Sequence, residues 1–489
     1  MCWSVCHRQH FSGSSVNALY FIFSIVYNLF FHPLRKYPGP KLWAISRLPL
    51  SFVWLTGSSH KKIQELHRKY GDIVRVAPNE LIFGYPEAFN DIMGHRKRGQ
   101  EENGKDEDFW HGDDIFTLVA SSRERHARLR KILSHGFSAK AMMDQEPIFQ
   151  HYVDLLIDRL HTACQTNPVQ DIISWYNWVT FDIIGDLTFG EPFGCLEETR
   201  YHPWVKLIFK NIEGIATDVA FRKFPFARTL GRLMTPKKVL RDVQTHREFT
   251  QAQVDKRCSF KGTRPDFMEP MIQAREKSVG WNAPGWRVLK LTLTEQMSRA
   301  EMLANAHNLI IGGSETTATV LAGATYLLST NKLVMQRLYD ELKSSFQSAL
   351  RLYPPVPSAI PRQAPAEGTT VRGEPIPPNT ILSIWPWPMF HNPDFFTDAE
   401  SFIPERWLGD PRFEGDQKAA TAMQPFSVGP RNCIGKNLAY AEMRLILAKI
   451  VWNFDFELDP RSEGWMEKNS VYFLWLKPDL HVRLIPRTQ

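Results

Sequence analysis

One ten-residue stretch constrains this chain more than any other: Phe426-Ser-Val-Gly429-Pro-Arg431-Asn-Cys433-Ile-Gly435. It sets a lone cysteine among two glycines and an arginine. A thiolate there needs backbone N–H donors around the sulfur and no side-chain crowding. Gly429 and Gly435 permit tight turns and close approach of the backbone to a flat ligand. The run Lys436 to Ile450 is rich in helix formers, so Cys433 lies just before a helix N-terminus, where the dipole favours S⁻. Arg431 offers a fixed cation for an acidic group on that ligand. A single cysteine is ordinarily an inert small core residue. The full spacing F-x-x-G-x-R-x-C-x-G outweighs that reading.

Ser298 to Ser329 is the longest helix candidate, and it contains Gly312-Gly313-Ser314-Glu315-Thr316-Thr317. Each mid-helix glycine costs about 1 kcal/mol relative to alanine. Close approach to a flat ring would compensate. Thr316 lies one turn after Gly312, so its hydroxyl can bond the Gly312 carbonyl and disturb the helix ladder. The groove this opens suits dioxygen and water, with Glu315 beside it as a proton relay. The plainer alternative is a glycine packing notch with exposed polar neighbours.

At these two motifs the chain resembles the cytochrome P450 family, the haem-thiolate monooxygenases. The resemblance implies a mainly helical fold with a small β region (α+β) around haem b (iron protoporphyrin IX). By that resemblance Cys433 is the axial iron ligand, Arg431 contacts a propionate, Phe426 packs near the sulfur, and Glu315 with Thr316 delivers protons. A thiolate ligand pushes electron density onto iron and favours O–O cleavage. Arg123 to Phe137 reads as a basic amphipathic helix with His126 and Arg130 on one face. The family commonly has W-x-x-x-R here; His126 stands in for the tryptophan, and imidazole can still donate a hydrogen bond. The resemblance makes Arg130, His126 and Arg362 propionate donors, although solvated surface charges are their commoner fate. Arg128 and Lys131 are expected to be exposed and to meet an acidic partner, an NADPH-cytochrome P450 reductase.

The resemblance fails at one point. The family expects E-x-x-R before a proline-rich turn; Arg351 and Pro354-Pro355 fit, but Ser348 stands where the glutamate belongs. The segment leading to Arg351 is also short, so 338–351 reads as damaged. Phe402-Ile-Pro404-Glu-Arg406-Trp407 supplies the second arginine of the set. Arg351 and Arg406 would then meet without their carboxylate, and breaking a buried ionic set costs roughly 3–5 kcal/mol. A skipped coding segment, a degenerate relative and a functional variant are the three readings. Gly280 to Thr294 has no clean period and reads as an insertion.

No linker, repeat or low-complexity block divides the chain, so 49–489 reads as one catalytic domain. A basic, proline-rich hinge (32–48) and an N-terminal region (1–31) precede it. Ala18 to Phe31 (ALYFIFSIVYNLFF) is uncharged but, at 14 residues, shorter than the roughly 20 a spanning helix needs. Arg35, Lys36, Lys41 and Arg47 follow it, which places the catalytic domain in the cytosol. A single-pass or monotopic anchor on the endoplasmic reticulum membrane is the expectation, and HPLRKYPGPKL resembles filamentous-fungal family members. The net charge of +7 suits an acidic protein or membrane headgroups. Without a basic run interleaved with aromatics, nucleic acid is not expected. The six cysteines form no C-x-x-C pair, against a disulfide framework.

Elsewhere the pattern predicts a helix over Ile63–Tyr70 and strands over Ile73–Val76 and Glu80–Phe83. It predicts a polar loop over Gln100–Asp114 and a buried helix over Trp178–Phe193. Further helices over Phe209–Phe226 would roof the pocket. A strand over Val356–Arg362, short strands over Val371–Ile384, and a terminal hairpin of Val471–Leu476 with His481–Leu484 complete the reading. Phe109, Trp110, Ile115, Phe116, Asn305, Asn308, Leu309, Ala359 and Ile360 are candidate pocket residues. By resemblance, the function is hydroxylation of an apolar small molecule in fungal secondary metabolism, terpenoid or polyketide. The rivals are a haem-thiolate isomerase or dehydratase that needs no reductase, and a haem-free binding protein.

Overall fold

Two helices meet at the centre because a long stretch of each lacks a polar face. The computed structural model describes residues 19–97, 99–110, 115–210, 212–224, 236–279, 296–331 and 345–487. Its helices of ten or more residues are α1 (Ser59–Tyr70), α2 (Arg123–Ser134), α3 (Ala139–Thr166), α4 (Ile172–Phe189), α5 (Ile212–Phe221), α6 (Lys237–Ser259), α7 (Met268–Val279), α8 (Arg299–Thr330) and α9 (Lys436–Asn453). In α4 every residue except Ser174 and Trp178 is buried, as befits a helix that is apolar all round. In α8 every residue from Thr317 to Ser329 is buried. The two pack along each other, and Tyr176 and Thr325 share a hydroxyl hydrogen bond of 2.6 Å across the seam. α9 packs on both α3 and α8, which ties the helix after Cys433 to the glycine-bearing one.

The helix ends follow local chemistry. Ser298 and Glu301 form a reciprocal capping box at the start of α8. Asp171 accepts from the amides of Ile173 and Ser174 at the start of α4, and Gly190 ends α4 in the left-handed region, φ +79°.

The strands are β1 (Ile73–Ala77), β2 (Glu80–Phe83), β3 (Gly104–Lys105), β4 (Val169–Asp171), β5 (Arg362–Gln363), β6 (Thr369–Val371), β7 (Glu374–Ile376), β8 (Ile381–Ser383), β9 (Phe454–Leu458), β10 (Ser470–Tyr472), β11 (Leu474–Leu476) and β12 (His481–Pro486). The largest sheet has the order β1-β2-β8-β5-β3. Only its β2/β8 pair is parallel. The architecture is therefore mainly helical with small sheets.

Two strand expectations need correction. Residues 356–361 do not form a strand, and only Arg362–Gln363 pairs. Pro357 and Pro361 cannot donate to a ladder. The terminal hairpin is β10 with β11, turning at Phe473. β12 instead lies between β4 and β9, because alternation buries Val482 and Leu484. At the N-terminus, residues 19–26 are helical and Tyr27–Phe31 form a π turn. Leu19, Tyr20, Phe21, Ile22 and Phe23 are exposed. Among the described residues no helix is long and apolar enough to cross a membrane. Residues 1–18, the irregular stretch 280–294 and most of the short segment before Ser348 lie outside the described residues.

The arginine set is better compensated than the missing glutamate implied. Arg406 pairs with Asp416 and donates to the Thr397 carbonyl. Arg351, fully buried, donates to the carbonyls of Phe390 (2.9 Å), Ala399 and Ser401 (2.8 Å). Both guanidinium groups also lie near the ring of Phe396. Ser348 donates to the Ile403 carbonyl at 3.0 Å and accepts from the Trp407 indole at 3.0 Å. Arg351 makes no ion pair among the described residues: burial first, and Arg406 second, push its guanidinium down to about 9, against the charge of Glu400. Asp416→Asn is therefore expected to destabilise the fold by roughly 3–5 kcal/mol, because it leaves Arg406 buried and unpaired. Ser348→Ala should cost only about 1 kcal/mol, the scale of a neutral hydrogen bond. Chemical denaturation of the two variants beside the parent checks the ranking.

Candidate active site

The cysteine loop is fixed by one close backbone contact. A Cβ on Gly429 would sit 2.0 Å from the Met93 carbonyl oxygen, and φ is +75° there. Only glycine fits. Ser427 also takes a positive φ, +58°, and its hydroxyl lies 3.3 Å from Met93 Sδ. The Cys433 amide donates to the Phe426 carbonyl at 2.9 Å and the Asn432 amide to that of Gly429 at 3.2 Å. Phe426 lies against the Tyr440 ring on α9, centroids 5.1 Å apart. Gly435 caps α9. Unlike Gly429, it is not demanded by packing: a Cβ there would meet only Phe137 Cε1, at 3.8 Å.

Cys433 is exposed, yet burial among surrounding protein pushes its thiol up, against the Gly435 amide and the charges of Arg130 and Lys436. A group both accessible and desolvated lines an internal cleft. Burial opposes the helix-end field at this sulfur, whereas metal coordination deprotonates a thiol outright.

The two helix glycines differ. A Cβ on Gly313 would collide with Ile184 Cδ1 on α4 at 2.5 Å, so Gly313 is a packing notch. Gly312 is exposed in mid-helix, and a Cβ there would meet nothing within 4 Å. Thr316 Oγ1 donates to the Gly312 carbonyl at 2.7 Å. Glu315, next in sequence, points elsewhere. It is buried, ion-paired with Lys477, and its Oε1 accepts from Thr319 at 3.3 Å. Its Oε2 is buried and has no hydrogen-bond partner among the described residues.

Positive charge is concentrated beside the cysteine loop. His126 is buried, and its imidazole is held down at about 3 by burial, then by Arg431, Arg130, Lys105 and Arg362 in that order. It is therefore neutral and free to donate one N–H. Lys105 and Arg362 are direct partners across β3 and β5, an arrangement that like charges disfavour. Burial, then Arg362 and Arg431, hold Lys105 well below the usual lysine range. Arg362 is pushed down to about 10 by burial and Arg431, and Glu102 alone opposes the trend. Arg431 pairs with Glu102 at 2.7 Å and donates to the Ser121 carbonyl at 2.9 Å. Arg130 donates to Asn432 O at 2.6 Å and Oδ1 at 2.7 Å, bracing the residue before the cysteine. Arg362 Nε is buried without a partner among the described residues. Sequence reasoning missed Lys105 and Glu102, which lie in a stretch that reads as a solvated loop.

Other expected residues fall into different roles. Asn305 does not face a ligand: it donates to the carbonyls of Phe116 (3.0 Å) and Glu301 (2.7 Å) and accepts from the Leu118 amide (2.8 Å). It fixes the 115–118 loop on α8. Asn308, Leu309, Trp110, Phe116 and Ile360 are half-buried, and Ile115 is exposed. Phe109 and Ala359 line a small cavity with Trp54, Glu80, Val219 and Trp385. Arg128 is not an exposed docking residue. It is half-buried and pairs with Glu301 at 2.5 Å. Lys131 is exposed.

Comparison with known proteins agrees with this geometry. Residues 38–484 match the family model of cytochrome P450. Trichothecene C-15 hydroxylase of Fusarium sporotrichioides is 42% identical, over 96% of each chain. Averantin hydroxylase of Dothistroma septosporum is 38% identical, over 98% of this chain and 91% of its own. A cytochrome P450 monooxygenase, astJ, of Aspergillus oryzae is 38% identical over 95% of each chain. With an accessible cysteine in a glycine-bounded loop, a threonine-bent central helix and a family match over nearly its whole length, the chain belongs to the cytochrome P450 family of monooxygenases.

Proposed function

We propose that this protein hydroxylates an apolar small molecule of fungal secondary metabolism, terpenoid or polyketide, with haem b held on Cys433. The observation that carries the reading is the surplus of buried positive charge beside an accessible cysteine. Among the described residues, Lys105, Arg362 and Arg431 face the carboxylate of Glu102, with Arg130 beside them. A flat ligand with two carboxylates and a thiolate-binding metal matches that donor set, and the open faces of Gly312 and Gly435 give a ring room to lie close. The family implies this cofactor.

When bound, the haem supplies oxygen activation and insertion into a C–H bond. The chain's own residues do the rest. Cys433 provides the sulfur, with its amide committed to Phe426. His126, Arg130, Arg362, Arg431 and Lys105 hold the acidic edge. Thr316, bonded to the Gly312 carbonyl, widens the helix where a small molecule must sit and presents a hydroxyl there. The apolar neighbours Leu309 and Ile360 exclude water. Electrons come from an NADPH-dependent reductase docking near Lys131. The exposed Leu19–Phe23 helix, with exposed Leu42, Leu48 and Phe52, rests on the endoplasmic reticulum membrane and leaves the catalytic domain in the cytosol.

The bond from Thr316 to Gly312 favours oxygen activation over isomerisation or dehydration. The carbonyl cage around Arg351 supports a variant that tolerates Ser348 over a collapsed relative.

Two outcomes follow. Lys105→Met removes a desolvated like charge, so the haem-free protein should gain about 1 kcal/mol while haem affinity falls about tenfold, one charge-assisted contact. Thermal melts of the haem-free form and haem transfer to a scavenger protein measure the two opposite signs. With reductase and NADPH, an apolar terpenoid or polyketide substrate should gain one oxygen atom. Thr316→Ala should cut product per NADPH several-fold without loss of haem; product formed without reductase would overturn the monooxygenase reading.

A further inference from the structure

Two ion pairs are buried around the small cavity that Phe109 and Ala359 line. Arg47, before the Leu48–Leu55 helix, pairs with Glu80 on β2 at 2.6 Å, the side chains 14% and 10% exposed. Lys223, just past α5, pairs with Asp106, just past β3, the side chains 12% and 2% exposed. All four residues line the cavity together with the rings of Trp54, Phe109 and Trp385. Against burial, the largest influence, Arg47 and then Lys223 hold the Glu80 carboxylate below its ordinary range. Lys223 therefore feels both acids across the cavity. Arg222 ties the same two segments a second time, donating to the Phe109 carbonyl; it also pairs with Asp218 at 2.5 Å. The end of α5 is thus fastened by charge, across a cavity, to a segment distant in sequence. Asp106 follows Lys105 directly, so this fastening lies one residue from the cationic edge beside Cys433.

A partly buried ion pair holds differently from an apolar contact. Parting two apolar surfaces costs free energy in proportion to the area exposed. Parting a desolvated pair returns two charges to water, and their hydration offsets much of the lost attraction. Such a pair fixes the closed position while adding little to the work of opening. We propose that Asp106 and Lys223 are a latch: their pair holds the end of α5 against the 106–109 segment, and its parting lets an uncharged apolar molecule pass between them to the cleft that Cys433 lines. Neither side chain touches the reacting atoms, so both act on entry and release and leave the chemical step alone. The proposal rests on the monooxygenase reading for what enters, but the latch itself is tested without turnover.

The full-length parent is compared with Asp106→Asn, Lys223→Met, the conservative Lys223→Arg and the double variant Asp106→Leu/Lys223→Met. The probe is 4-phenylimidazole at mildly alkaline pH, where it is uncharged, and its arrival at the haem is followed in the Soret band by stopped flow. Each pair-breaking single variant should speed association and dissociation together, both roughly tenfold, while Kd stays that of the parent. Lys223→Arg should track the parent. The double variant closes the same seam with apolar side chains, so its rates should fall to the parent's or below. Rising salt should speed both rates in the parent, because it screens the charges once they part, and should not affect the double variant. Hydrogen exchange of the 104–110 and 212–223 amides should rise in the single variants and return to the parent level in the double one. Unchanged rates, a change confined to dissociation with a matching loss of affinity, or equal salt dependence in parent and double variant would overturn the latch and leave the pair a structural contact. A parent that binds no haem would instead overturn the monooxygenase reading, and the exchange result would stand separately.

Discussion

Like charges held together inside a protein are expensive unless something neutralises them. Lys105 sits directly across a strand pair from Arg362, with Arg130 and Arg431 close enough to depress His126 and Glu102 opposing them among the described residues. Placed against the N-terminal side of α9, such a cluster suits an anionic partner. The small mixed sheet gains its purpose from this. β3 and β5 are two residues each, too short to matter as structure, but they fix two cations at one level.

The helices supply the other half. α4 is buried along nearly its whole length and α8 from Thr317 to Ser329, so the glycine step just before that stretch is held against α4. Gly313 packs on Ile184 while Gly312, one residue earlier, is left bare. That asymmetry is what a single helix needs to be both a core strut and the wall of a cleft. Below, the Cys433 loop is pinned through Gly429 to Met93, so loop position depends on the sheet-side cluster of Leu81, Phe89, Ile92 and Met93. Asp416 and backbone carbonyls take over much of the arginine compensation that Ser348 cannot provide, and this keeps the region under the loop closed.

Much of this was legible in the sequence where the signal was local. The glycine-cysteine spacing, the threonine one turn after Gly312, the helix over α2 and the β1–β2 pair all depend on residues within a few positions of one another. What escaped notice came from distant partners. Glu102 and Lys105 carry no period and gain meaning only beside Arg362 and Arg431. Asp416 gains its role only when Arg406 folds onto it. Lys477 follows a short strand whose pattern says nothing about a carboxylate on α8. β10–β11 and β12 are both short apolar runs near the C-terminal end of the described residues, and only tertiary pairing separates them. Arg128 reads as exposed from its helix, but Glu301 on α8 pairs with it.

The account rests on a sulfur that binds iron. Purified full-length protein, loaded with haem, reduced and exposed to carbon monoxide, gives the most direct reading. A strongly red-shifted Soret band, lost when Cys433 is replaced by alanine, is the expected result, because a thiolate donor shifts the electronic spectrum of the haem. A band at the position given by a neutral nitrogen or thiol ligand, or a spectrum unaffected by removing Cys433, would contradict it.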